Sequence, residues 1–235
     1  MTVAAVLVAA GSGSRLGHEL PKAFVPLGGV PLVVHAARSL LASGAVSSLV
    51  VVVPADRIAD ARAALADLPC PVAVVAGGAA RQASVAAGLA ALPDEADVVL
   101  VHDAARPFPP ADLVDRVIEA VRAGHPAVVP ALPVTDTIKR VGPGDGTGEP
   151  VLQTVPRGAL RAVQTPQGFA RDVLVAAHAA AAGSAHDEST AASDDAGLVE
   201  AQGVPVWVVP GDERAAKVTT PSDLSLAALR APDAS

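Results

Sequence analysis

A run of small residues near the amino terminus, and the two cations set in and just after it, are the first candidates for chemistry. Ala9-Ala10-Gly11-Ser12-Gly13-Ser14-Arg15-Leu16-Gly17 carries little bulk, so successive backbone N–H groups can approach an anion with no Cβ in the way. Arg15 lies inside the run and Lys22 follows Pro21 shortly after it, which puts two positive charges where a polyphosphate would lie. The spacing G-x-G-x-x-x-G is neither the P-loop pattern nor the dinucleotide pattern G-x-G-x-x-G, so the glycines point to a phosphate cradle without supporting a kinase or a dehydrogenase.

Two later clusters could complete such a site. Gly77-Gly78-Ala79-Ala80-Arg81-Gln82-Ala83-Ser84 combines a glycine pair with a hydroxyl and could shape a base pocket. His102-Asp103-Ala104-Ala105-Arg106-Pro107 offers a carboxylate able to orient Mg²⁺ and a guanidinium able to meet a phosphate; the lesser alternative is a local ion pair between Asp103 and Arg106. Lysine is scarce against arginine, so Lys22, Lys139 and Lys217 stand out individually. No Ser/His/Asp or Cys/His arrangement suggests a covalent nucleophile.

Composition narrows the classes further. A formal charge of −7 argues against a general nucleic-acid surface, and three Phe and one Trp provide no stacking platform. The single cysteine, Cys70, has no partner within the chain, and no C-x-x-C or H-x-x-x-H spacing suggests a structural metal. Charged residues interrupt every apolar run before the roughly 18 to 20 residues that would span a bilayer, and the opening segment lacks a basic n-region. The expected location is cytoplasmic.

The elements that must hold these residues are legible as a rhythm. Continuously apolar, β-branched runs at Val3–Val8, Leu49–Val53, Val72–Val75, Val98–Val101 and Ala127–Pro130 alternate with Ala/Leu-rich stretches near 31–43, 56–67, 80–91 and 110–123. Such strands, apolar on both faces, predict an α/β fold with a doubly wound, mostly parallel, Rossmann-like sheet whose ligands sit at the carboxyl ends of the strands. The rhythm breaks over residues 133–160, where turn-rich Gly142–Gly148 is flanked by β-prone residues. This predicts an extended β-arm, and a second subunit is the economical surface for it to pack on. Helices near 170–182 and 194–202, a strand at Val204–Val209 and a helix over Ser222–Arg230 complete one α/β domain, 1–231, with a frayed tail at 232–235.

Taken together, Ala9-Ala-Gly-x-Gly-x-Arg15, Pro21-Lys22, Val101-His-Asp-Ala-Ala-Arg-Pro107, Asp136-Thr-Ile-Lys139, Thr165-Pro-Gln167 and Lys217-Val-Thr219 resemble, in this order, the 2-C-methyl-D-erythritol 4-phosphate cytidylyltransferases over about residues 3 to 229. The resemblance implies transfer of a cytidylyl group from CTP to that sugar phosphate, with release of pyrophosphate and with Mg²⁺ or another divalent cation as cofactor. It implies that Arg15 and Lys22 stabilise the transition state, and that Ala9, Ala10, Gly11, Gly13, Gly78, Ala79 and Ser84 hold the nucleotide. Asp103 would sit by metal and substrate, and Arg106, Thr137, Arg157, Thr165, Ser193 and Lys217 would surround the sugar phosphate. Arg157 and Lys217 would also act in the transfer, with Arg157 reaching across from the arm of a homodimer partner. Where the family has Thr-Asp-Glu, this chain has Ser193-Asp194-Asp195; His186-Asp187-Glu188 lies at the wrong distance. The alternatives are a cytidylyltransferase for another polyol phosphate, such as ribitol 5-phosphate, and more distantly a nicotinamide-dependent dehydrogenase.

Overall fold

The structure, a computed structural model, describes residues 1–11, 20–185 and 192–230. Gly13 and Arg15, the His186–Glu188 stretch and the expected tail lie outside the described residues.

Strands and helices follow in the order β1 (Thr2–Val8), β2 (Pro26–Leu27), β3 (Val30–Pro31), α1 (Leu32–Leu41), β4 (Val46–Val53), α2 (Ile58–Ala64), β5 (Val72–Ala76), α3 (Arg81–Ala90), β6 (Ala96–Asp103), α4 (Ala111–Arg122) and β7 (Ala127–Pro133). The chain continues through β8 (Ile138–Val141), β9 (Val151–Val155), β10 (Arg161–Val163), β11 (Gln167–Ala170), α5 (Arg171–Ala180), α6 (Asp195–Ala201), β12 (Val206–Pro210) and α7 (Pro221–Ala228). The main sheet has the order β10-β7-β11-β6-β1-β4-β5, with β12 on the remaining side of β7. β1 lies parallel to both β4 and β6, β5 is parallel to β4, and β12 is parallel to β7; β10 and β11 run antiparallel to their neighbours.

The alternation of side chains along β1 explains why the apolar runs are unbroken. Val3, Ala5 and Leu7 pack with Val33, Leu40, Ala61, Val114 and Ile118 on one face. Ala4 and Val6 pack with Val85, Leu89, Leu174 and Val199 on the other. Every residue of the strand centre is therefore removed from water, as a sheet covered by helices on both faces requires. Side-chain caps set the starts of the last two helices. Thr220 and Asp223 form a reciprocal capping box with Pro221 at the first position of α7, and Asp194 caps α6 by accepting from the Gly197 N–H.

The expected arm is present as a separate antiparallel pair, with Ile138 opposite Val155 and Lys139 opposite Thr154. The sequence pattern did not anticipate β10 and β11. They behave as one antiparallel strand interrupted at Gln164-Thr165-Pro166: β10 pairs with the end of β7, and β11 is inserted between β6 and the start of β7. At the outer strand, Trp207 stacks on His125 with ring centroids 4.1 Å apart.

Candidate active site

Because β1, β4, β5 and β6 are parallel, their carboxyl ends open on one side, and a cleft of about 350 Å³ lies there. Ala9, Ala10 and Gly11, leaving β1, form one wall, and Gly78, Ala79 and Ala80, leaving β5, form another. The turns are tied to the sheet by main-chain bonds from Ala9 N–H to Val52 O (2.7 Å) and from Gly77 N–H to Val53 O (2.8 Å). A Cβ on Gly77 would lie 2.4 Å from the Ala10 Cβ, so only glycine lets the two walls meet this closely. The Ser84 hydroxyl, buried at the cleft wall, accepts from Gly78 N–H (3.1 Å) and donates to Ala80 O (3.1 Å), which fixes the shape of the second turn.

Charge is concentrated at the cleft floor. Asp103 ends β6 with both oxygens engaged: Oδ1 accepts from Arg81 Nε (3.2 Å) and Oδ2 from Lys217 Nζ (2.7 Å). Burial opposes ionisation of this carboxyl, but Arg81 and Lys217 outweigh it and hold Asp103 well below the usual carboxylate range. Lys22 joins the same lining from the single turn Lys22–Phe24. Lys217 is brought in by the loop after β12, where Val218 N–H bonds to Ala105 O (2.8 Å).

Behind Asp103 stands a closed set of hydrogen bonds. His102 Nε2 faces the Arg106 carbonyl (2.9 Å), which can only accept, so Nε2 carries the proton. Nδ1 then accepts from the Thr165 hydroxyl (2.8 Å), whose oxygen in turn accepts from the Asp103 N–H (3.2 Å). Burial pushes the imidazole down to about 4, so the ring is neutral at physiological pH and its tautomer is fixed. The register of β11 against β6, Gln167 opposite Val101, extends to set Thr165 beside Asp103.

The structure thus brings Ala9, Ala10, Gly11, Lys22, Gly78, Ala79, Ser84, Asp103 and Lys217 into one cleft. It places Arg106, Thr137, Arg157, Thr165 and Ser193 outside the cleft lining. Arg106 braces the loops, donating to Ala215 O (2.7 Å) and Val163 O (3.4 Å), so it makes no ion pair with Asp103 among the described residues; its buried Nε has no partner there. Thr165 is buried beneath Asp103, whereas Ser193 is exposed ahead of α6 and Thr137 is exposed at the foot of the arm. Arg157, also exposed, donates to the Thr135 carbonyl and does not line this chain's own cleft. Arg81 is the charged residue among the described cleft lining that sequence reasoning did not select. The signal was a single charge closing a turn of glycine and alanine.

For a metal, the cleft offers one carboxylate among its described lining residues, and no group of three or more His, Cys, Asp or Glu stands together among the described residues. This donor set fits a hard cation such as Mg²⁺ that arrives on a triphosphate and keeps several waters; it does not fit an ion caged by protein ligands alone.

The doubly wound sheet, the glycine-walled cleft over its strand ends and the lysines bordering that cleft place the protein among the nucleotidyltransferases. Residues 3–230 match IspD, 2-C-methyl-D-erythritol 4-phosphate cytidylyltransferase, and the chain belongs to that family. A curated relative of that name from Streptomyces avermitilis is 53% identical over 230 residues, covering 95% of this chain and 89% of the relative. Another from Nocardia farcinica is 53% identical over 226 residues, covering 96% and 92%. Among solved structures, the 2-C-methyl-D-erythritol 4-phosphate cytidylyltransferase of Thermus thermophilus superimposes with a TM-score of 0.75 at 40% identity over 98% of each chain. The 4-diphosphocytidyl-2C-methyl-D-erythritol synthase of Anaerococcus prevotii gives 0.81 at 26% identity over 97% of each. Family membership removes the dehydrogenase alternative.

Proposed function

We propose that this protein joins CTP to 2-C-methyl-D-erythritol 4-phosphate, working in the cytoplasm as a homodimer with a divalent cation. The observation that carries the reading is the charge of the cleft: Lys22, Arg81 and Lys217 line it with one carboxylate, Asp103, among the described lining residues, and the buried Asp195 behind Arg81 still leaves the cations in excess. That excess of positive charge suits a site where two anions must meet. A phosphate oxygen of the sugar forms a bond to the α-phosphorus of CTP as the bond from that phosphorus to the bridging oxygen breaks, and the electron pair leaves with pyrophosphate. The nucleophile is already an anion, so no general base is needed; His102, buried and committed at both nitrogens, is not available as one. Lys22 and Lys217 would neutralise charge on the phosphoryl oxygens, and the two turns would present backbone N–H groups to the nucleotide. A divalent cation held by the triphosphate and Asp103 would supply further charge neutralisation.

Two features support the dimer. Val141, Val151 and Leu152 on the arm are 42%, 58% and 64% exposed, an apolar surface suited to burial against a second copy. Arg157 stands at the foot of the same arm, outside its own cleft, where a partner could receive it.

The test is a pyrophosphate-release assay with CTP, Mg²⁺ and a panel of polyol phosphates. Rapid release with 2-C-methyl-D-erythritol 4-phosphate is expected. Faster release with ribitol 5-phosphate, or none with any of the panel, would overturn the substrate assignment.

A further inference from the structure

Five side chains from five segments form one line of alternating contacts that starts behind the cleft wall. His178 Nε2 on α5 meets Asp195 Oδ1 (2.9 Å), and Asp195 Oδ2 on α6 accepts from Arg81 Nη1 (2.7 Å). Arg81 Nε, at the start of α3, donates to Asp103 Oδ1, and Asp103 Oδ2 accepts from Lys217. Each carboxylate has one cationic or donor partner on each oxygen, and Arg81 spans the two with different nitrogens of a rigid planar fork.

We propose that Asp195 is a positioning residue for the transfer reaction, acting through Arg81 to set the orientation of Asp103. The inner end of the line is buried and tied by hydrogen bonds. The Asp195 side chain is 1% exposed, and the start of α6 is fixed by the Asp194 cap and by Gln167, which accepts from Ala196 N–H and donates to Asp194. The outer end is open, with the Lys217 side chain 41% exposed. Rotation of the Asp103 carboxylate would pull Oδ1 from Arg81, and Arg81 cannot follow without leaving Asp195. The anchored oxygen therefore holds the carboxylate plane, and Oδ2 is left as the oxygen that exchanges partners at the cleft. Burial favours a neutral Asp195, but Arg81 and His178 outweigh it and keep this carboxyl below its usual range, so the anchor stays charged.

The inference rests on the cytidylyl-transfer reading, and wild-type pyrophosphate release with CTP and 2-C-methyl-D-erythritol 4-phosphate is measured first; its absence would refute that reading rather than this one. Asp195→Asn, Arg81→Gln and the double variant are then compared by steady-state kinetics and thermal melting. Asp195→Asn is expected to lower kcat about tenfold with CTP KM changed by no more than about threefold, and the double variant to be no slower than Arg81→Gln alone, because coupled residues do not add. Asp195→Glu, which restores the carboxylate, should retain at least about a third of wild-type kcat. Arg81→Lys, which keeps a cation but loses the fork, should lower kcat about tenfold even if Asp195→Asn does not fold. The proposal is overturned if the losses in the double variant add, or if folded Asp195→Asn or Arg81→Lys melts lower yet keeps wild-type kcat, since the contacts would then serve stability alone.

Discussion

Thr165→Val removes one hydroxyl at nearly constant volume, and the structure states what that hydroxyl holds. It accepts from Asp103 N–H and donates to His102 Nδ1, both in a region closed to water. The valine strands one buried donor and one buried acceptor, each costing about 1–3 kcal/mol, so the loss centres on about 4 kcal/mol. For a chain of 150–250 residues, each kcal/mol lowers the melting temperature by about 2–4 °C, which gives a fall of roughly 8–16 °C. Differential scanning calorimetry of Thr165→Val beside Thr165→Ser is the assay; the serine keeps the hydroxyl and should melt within about 3 °C of wild type. A valine variant that melts within about 3 °C of wild type while its KM for the sugar phosphate rises would refute the reasoning. It would show that the hydroxyl serves the substrate, as the family resemblance implied, and not the frame behind Asp103.

Three other outcomes follow from the same geometry. Lys22→Ala should lower kcat about a hundredfold with the fold intact, since one positioned donor of this kind contributes about 2.7–4 kcal/mol in the transition state; normal turnover would contradict its role. Arg157→Ala should raise KM for the sugar phosphate far more than for CTP, and mixing Arg157→Ala with Lys22→Ala subunits should recover activity if the arginine acts across the dimer; no recovery would confine it to its own chain. His102 has a lowered value in the fold, about 4 against about 6.5 unfolded, so the unfolded chain binds the extra proton between these values. Stability from this group is complete above about pH 6.5 and is lost as pH falls toward 4, by up to about 3 kcal/mol. Denaturation by urea at pH 7.5, 6 and 5 should show the decline, and a His102→Gln variant with the same decline would rule out this origin.

The sequence made the parallel half of the fold legible because strands buried on both faces must be apolar at every position, and Val3–Val8, Leu49–Val53 and Val98–Val101 are. The arm was visible through its turn residues. β10 and β11 were not, because three- and four-residue strands split by Gln164-Thr165-Pro166 show no period, and their pairing depends on a gap between β6 and β7 that exists only in the folded sheet. The same distinction divides the site. The glycine turns and Asp103 announce themselves by local pattern, whereas Arg81 gains its meaning from Asp103, 22 residues on, and Asp195, 114 residues on. Thr165 is placed beside the substrate only by the family resemblance; the register against β6 shows what no local pattern could, that its hydroxyl bonds the main chain of Asp103 and the His102 ring.

The stack of Trp207 on His125 has an optical consequence. The chain has one tryptophan and no tyrosine, so its near-ultraviolet emission comes from a single indole on the outermost strand, 49% exposed and in van der Waals contact with an imidazole. Contact with that imidazole ties the emission to packing at the edge of the sheet and not to the cleft. Fluorescence will therefore report the fraying of β12 from β7, and nucleotide binding at the other strands must be followed by a label or by heat.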